Sequence, residues 1–186
     1  SASALQKTQD GNYWDSFFKL DLDFDKRNQK YKTTEGFRSN YSLDLPLISD
    51  TNTLINSYQY DYYTELFENN VSSASILLLS ANSISNDNIK LSERLFIPGR
   101  KLRGFERGKI GPKDGSDYIG GNFATAANFS STLPQILSNL EEIDFVFFID
   151  AANVWGVDYN SSLDDMGESR SSIGLGVDWL TPVGPL

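Results

Sequence analysis

An all-β, antiparallel meander is the fold class this sequence predicts, and three observations predict it. Apolar and polar residues alternate with period two, in segments of roughly ten residues. Polar clusters such as Asp25-Lys26-Arg27-Asn28 and Ser49-Asp50-Thr51-Asn52 separate the segments. No segment shows the three-to-four-residue apolar spacing of a helix, and no apolar run reaches the roughly 18 residues that a membrane-spanning helix needs.

The first strand is clearest from Phe18 to Phe24, where Phe18, Leu20, Leu22 and Phe24 fall on one face and Lys19, Asp21 and Asp23 on the other. After the turn at Asp25, a second strand is expected over about 30–47, with Tyr41, Leu43, Leu45 and Leu47 opposite Ser42 and Asp44. Pro46 suits its end, where a missing N–H costs the ladder little. The third strand runs from Thr53 to Leu66 and sets Tyr58, Tyr60 and Tyr62 against Gln59, Asp61 and Tyr63. Glu68-Asn69-Asn70 turns the chain into a fourth strand over 72–81.

A long connection of about 82–118 follows, rich in Gly, Pro, Lys, Arg and Asp. Connections of that length inside a β-domain are more often functional than idle. Three further strands are expected at 119–133, 143–155 and 171–183, the last placing Ile173, Leu175, Val177 and Trp179 opposite Gly174, Gly176 and Asp178.

Composition narrows function by exclusion. The 186 residues contain no Cys and no His, which removes disulfides, thiolate metal sites, the commonest metal ligand and the commonest general base. A net charge of −9, with no basic cluster longer than Gly99-Arg100-Lys101-Leu102-Arg103, does not support a nucleic-acid partner. Asp114 with Asp117, and Asp158 with Asp164, Asp165 and Glu168, lack the spacing of an EF-hand loop and read as solvated loop charge, so no metal site is expected. Glu141-Glu142 and Asp164-Asp165 have no cleft to make them an acid/base couple, so no catalytic residue is assigned. The N-terminal SASALQKTQDGNYW has neither a basic nor an apolar region of the kind a secretion signal carries.

Alternation alone does not say what the apolar face touches. A soluble sandwich or barrel would turn it to a core, and an outer-membrane barrel would turn it to lipid. Two features lean toward lipid: acids crowd the polar face (Asp21, Asp23, Asp44, Asp61, Glu65, Asp150, Asp178), and aromatic residues gather near strand ends at Tyr13-Trp14, Tyr62-Tyr63 and Trp155.

Three stretches carry a resemblance that decides between them: Leu102-Arg103-Gly104-Phe105, FFIDAANVW from Phe147 to Trp155, and GLGVDWLTPVGPL from Gly174 to Leu186. In this order and at these intervals they resemble the BamA-like outer-membrane assembly factors, the bacterial surface antigen family. The resemblance is specific over about 91–186 and rests on strand pattern alone over 14–81. It implies the C-terminal half of a transmembrane outer-membrane β-barrel in a Gram-negative cell, with the connection at about 82–118 folded into the lumen. It further implies that Arg103, Gly104 and Phe105 form the loop tip and that Arg103 meets Asp150 on the lumen wall, Phe105 packing beneath.

Many members carry a second lumen acid where this chain has Ser130, so Ser130, Asp144 and Asp178 are the candidate secondary partners of Arg103. A family barrel has about sixteen strands against the seven read here. Residues 1–186 are therefore expected to be a partial barrel whose final strand is missing and whose POTRA domains lie elsewhere. The implied activity is insertion and folding of β-barrel proteins into the outer membrane without a cofactor. Its implied partners are unfolded outer-membrane protein clients, outer-membrane lipids and accessory assembly lipoproteins. A TamA-type or two-partner-secretion translocation pore is the alternative within the superfamily. A soluble β-barrel or sandwich binding module is the alternative outside it.

Overall fold

A computed structural model describes residues 7, 9, 11–67, 70–85, 87–133, 143–160, 162–163, 167–181 and 184–185. Glu68, Asn69, Glu141, Glu142, Asp164 and Asp165 lie outside them, as do the side chains of Trp179 to Leu186. The chain forms β1 (Asp15–Asp25), β2 (Gly36–Ser49), β3 (Thr53–Thr64), β4 (Ser72–Ser83), a two-residue hairpin of β5 (Lys113–Asp114) and β6 (Asp117–Tyr118), then β7 (Phe123–Thr132), β8 (Ile143–Trp155), β9 (Arg170–Thr181) and β10 (Gly184–Pro185). The main sheet runs β1-β2-β3-β4-β7-β8-β9-β10, every described pair antiparallel, so each strand lies beside its neighbour in sequence once the hairpin is set aside. The sheet is not closed: among the described residues β1 pairs only with β2.

Register carries the alternation across the sheet. On one face the rungs join Phe37 to Tyr62, Tyr58 to Leu78, Ile149 to Ile173 and Phe147 to Leu175. Their apolar side chains have no covering layer: Leu22, Phe24, Ile173 and Leu175 are 56%, 54%, 70% and 73% exposed. An alternating strand normally buries its apolar side. Here the outer face is the apolar one, and polar side chains line the other.

On that inner face the first two strands make a polar lattice. Arg38 donates from Nε and Nη2 to the two oxygens of Asp23 at 2.9 Å each, Asn40 donates to Asp21 at 2.9 Å, and Lys19 stands 3.4 Å from Asp44. Toward β7 and β8 the inner face changes to small residues, and the connection between β4 and β7 lies over it. Leu77, Ala124, Ala126, Ala152 and Val154 of the wall bury against Ile97, Leu102 and Ile110 of that connection, which makes the apolar core of the molecule.

Several bounds depart from the sequence reading, among them β7, which begins at Phe123 rather than 119, and β3, which ends at Thr64 rather than Leu66. The second strand begins at Gly36 rather than near Lys30, because 28–35 closes on itself: Thr33 donates to the Gln29 carbonyl at 2.7 Å, the Asn28 side chain accepts from the Thr34 N–H at 3.2 Å, and Lys32 takes φ +50°. The Asn28 side chain thus closes a loop across six residues, which outweighs the weak alternation there. The long connection also has structure of its own, with 3₁₀ turns at Leu91–Glu93 and Gly99–Lys101 besides the β5–β6 hairpin.

Candidate functional site

The loop tip is built by a tight local sequence. Pro98 opens a 3₁₀ turn over Gly99–Lys101, closed by the Lys101 N–H donating to the Pro98 carbonyl at 2.8 Å. The turn leaves Leu102 extended and Gly104 at φ +84°, a left-handed conformation that costs glycine nothing. No atom stands closer than 4.0 Å to where a Gly104 Cβ would sit, so conformation and not space requires glycine there. This geometry aims Arg103 at the wall.

Arg103 meets Asp150 through three hydrogen bonds. Its Nε and Nη2 donate to Asp150 Oδ2 and Oδ1 at 2.8 and 2.7 Å, and its backbone N–H donates to Oδ2 at 3.0 Å. Asp150 is completely buried, whereas the Arg103 side chain is 35% exposed. The planar fork matches a carboxylate in two parallel bonds, a geometry lysine lacks. Nη2 also donates to Ser130 Oγ at 3.1 Å, and the guanidinium lies 3.8 Å from the centre of the Phe148 ring. Asn128 completes the Asp150 shell by donating to Oδ1 at 2.8 Å.

Two residues back, Lys101 ties the tip to the other side of the connection. Its Nζ bonds Ser75 Oγ at 2.5 Å and stands 3.7 Å from Asp61, while its carbonyl accepts from Asn128 at 2.9 Å. Asp61, Ser75, Asn128 and Asp150 belong to β3, β4, β7 and β8. Two tip residues, Lys101 and Arg103, therefore span four adjacent strands.

Of the sequence-predicted residues, Arg103, Ser130 and Asp150 come together here. Asp144 and Asp178 are not hydrogen-bonded to them: they face each other across a β8–β9 rung four residues from the Phe148–Gly174 rung, and Asp178 lies within reach of the Arg103 charge. Arg103 has no hydrogen bond to either among the described residues. Phe105 is 37% exposed, and the buried apolar approach of the connection to the wall is made by Leu102 and Ile110, 3% and 5% exposed. Gly111 makes that approach possible, since a Cβ on it would stand 2.7 Å from Val154 Cβ.

Asp158 corrects the reading of that acid as solvated loop charge. It pairs with Arg94, whose side chain has no solvent exposure, and its Oδ2 accepts from the Ile89 N–H at 2.9 Å. Burial pushes the Asp158 carboxyl up, but the Ile89 amide and the Arg94 charge outweigh it and hold it below its ordinary value. Burial and a bond to Asp114 raise the neighbouring Tyr159 hydroxyl to about 12. Lys101, Asn128, Phe148 and Arg94 escaped the sequence reading. Only Lys101, two positions before Arg103, had a local signal that could have found it.

The whole chain, residues 1–186, matches the model of the Omp85 superfamily domain. It is 30% identical over 116 residues to the outer membrane protein assembly factor BamA of Neorickettsia risticii (strain Illinois), an alignment covering 59% of this chain and 15% of that protein. The fold superposes on the crystal structure of BamA from Haemophilus ducreyi lacking POTRA domains 1–3 with a TM-score of 0.80 and 26% identity, over 90% of this chain and 36% of that one. The chain thus spans well under half the length of the relatives it matches.

Proposed function

The chain belongs to the Omp85 superfamily as a BamA-like barrel of the bacterial outer membrane, and from that premise we propose that it is the C-terminal barrel portion of a factor that inserts and folds other outer-membrane β-barrel proteins. The tip carries the reading: Lys101, Arg103 and the Asn128 bond to the loop backbone tie one inward-folded loop to four consecutive strands. A brace of that kind fixes the relative tilt and register of the strands it spans. The exposed apolar face fits lipid, and strands of 11 and 14 residues, as in β1 and β2, meet or exceed the roughly 9–11 needed to cross a bilayer.

The work is physical rather than covalent, with no catalytic residue and no cofactor. Unfolded client strands pair with an exposed strand edge of the barrel by β-augmentation, where backbone hydrogen bonds supply affinity. Lipid displaced near that edge lowers the cost of passing polar backbone through the bilayer. Arg103 and Asp150 hold the wall in its working shape while clients pass. Accessory assembly lipoproteins would act outside this portion.

The test is replacement of the full-length protein by its Arg103→Ala variant in cells that depend on it. The expected result is a fall in folded outer-membrane proteins with the variant still present in the membrane. Normal client levels refute the reading. Loss of one exported substrate with normal barrel assembly would indicate a TamA-type or secretion role instead.

A further inference from the structure

Arg94 is the most thoroughly enclosed basic residue among the described residues, and it lies at the foot of the loop, nine positions before Arg103. Its Nη1 donates to Asn122 Oδ1 at 3.0 Å and, at 3.5 Å, to the Gly156 carbonyl. Its Nη2 donates to the Ile89 carbonyl at 3.2 Å and pairs with Asp158. The Tyr159 ring lies 5.0 Å from the guanidinium carbon, and the Tyr159 hydroxyl donates to Asp114 Oδ2 at 3.1 Å. Only Nε is buried without an acceptor.

These partners come from every part of the loop stem. Ile89 and Arg94 lie where the connection enters, Asp114 lies in its β5–β6 hairpin, Asn122 lies where it leaves, and Gly156, Asp158 and Tyr159 lie in the separate connection from β8 to β9. The backbone reinforces the knot, with Leu95 and Gly121 exchanging hydrogen bonds at 2.8 and 3.0 Å and the Asn122 N–H donating to the Gly156 carbonyl at 2.9 Å. An unpaired guanidinium here would be costly, so Arg94 stays only while all three segments stay together.

We propose that Arg94 is a positioning residue for Arg103: it clamps the loop stem to the β8–β9 connection, which leaves the tip as a separately releasable latch. The solvent exposure of the two arginines supports this division. Arg94 is dry, whereas Arg103 is 35% exposed and water can compete for its bonds to Asp150. Release of the tip would let the brace on β3, β4, β7 and β8 relax without the loop leaving the interior. Re-docking would then be a local event, with the stem already in place.

Amide hydrogen exchange on the full-length protein in lipid tests this, with Arg103→Ala, Arg94→Met and Asp158→Asn compared. Arg103→Ala is expected to speed exchange tenfold or more at 100–105 while 89–95, 119–122 and 156–159 keep their protection. Arg94→Met and Asp158→Asn are expected to speed exchange in the stem and at the tip together, with β7 and β8 unchanged. A protected tip in both stem variants overturns the proposal, as does a stem that opens in Arg103→Ala. Asp158→Asn keeps the shape of the side chain, so it serves if Arg94→Met fails to fold. The readout does not involve client assembly, so either outcome is separable from the role proposed above.

Discussion

Phe148 fills the space that Gly174 leaves on the inner face: a Cβ on Gly174 would stand 2.6 Å from the Phe148 Cζ atom. The two are directly paired across β8 and β9, and the opposite side of the ring carries the Arg103 guanidinium. A glycine in a strand interior ordinarily weakens it by 0.5–1 kcal/mol or so relative to alanine. At this position that cost is offset by a flat aromatic platform, the known remedy for a glycine in a sheet.

Gly174→Ala should therefore destabilise the barrel despite the better strand propensity of alanine. Forcing the ring aside is an overpacking change of about 1–3 kcal/mol. The same shift should disturb the platform under Arg103. Thermal unfolding in detergent, followed by the mobility of folded and unfolded forms on electrophoresis, checks the sign. An alanine variant as stable as the parent would show that the ring is free to move.

Arg103 and Asp150 should be strongly coupled. Removing one partner of a buried pair typically costs about 3–5 kcal/mol, and the partial exposure of Arg103 puts Asp150→Ala near the lower end. Arg103→Lys should recover little, because one ammonium cannot reproduce the fork on Asp150 and the Ser130 bond together. A double-mutant cycle on unfolding free energy measures the pair, and additive single effects would contradict the geometry.

Lys101 should matter less for stability than for bracing. The side chains of Lys101 and Asp61 are 17% and 15% exposed, but at 3.7 Å their pair lacks the short two-bond geometry of Arg103 on Asp150, so it contributes about 1 kcal/mol. Lys101→Met keeps the packing of the stem and removes the charge. The expected outcome is nearly unchanged thermal stability with faster amide exchange at the tip, and a large fall in stability would show that the contact is structural instead.

The strands were legible because one face of each is uniformly apolar; β8 matches its expected bounds, Ile143–Trp155, at both ends. The direction of the apolar face was not legible from alternation, which is the same for a core and for lipid, and only the motifs decided it. Arg103 and Asp150 were found through those motifs. Arg94 was not, since its partner Asp158 lies 64 residues away and neither sits in a distinctive local pattern. The burial of Leu102 and Ile110 against the wall was not legible either, because it depends on Gly111 approaching Val154. Long-range packing of that kind has no local signature.

Asp158 gives the loop stem a dependence on acid whose sign follows from its environment. The Ile89 amide and the Arg94 charge hold the folded carboxyl below its ordinary value of 3.8, against the upward push of burial. The unfolded stem therefore binds the proton more readily than the folded one, and the stabilisation is complete above that ordinary value. It is lost as pH falls through the depressed folded value. Limited proteolysis of the stem from pH 6 downward should show little change until the pH nears about 4, in the ordinary carboxylate range, then rising cleavage. Asp158→Asn should raise cleavage at neutral pH and flatten the response, because the variant has no proton to gain at this position. Identical acid profiles for the two proteins would place the sensitive group elsewhere.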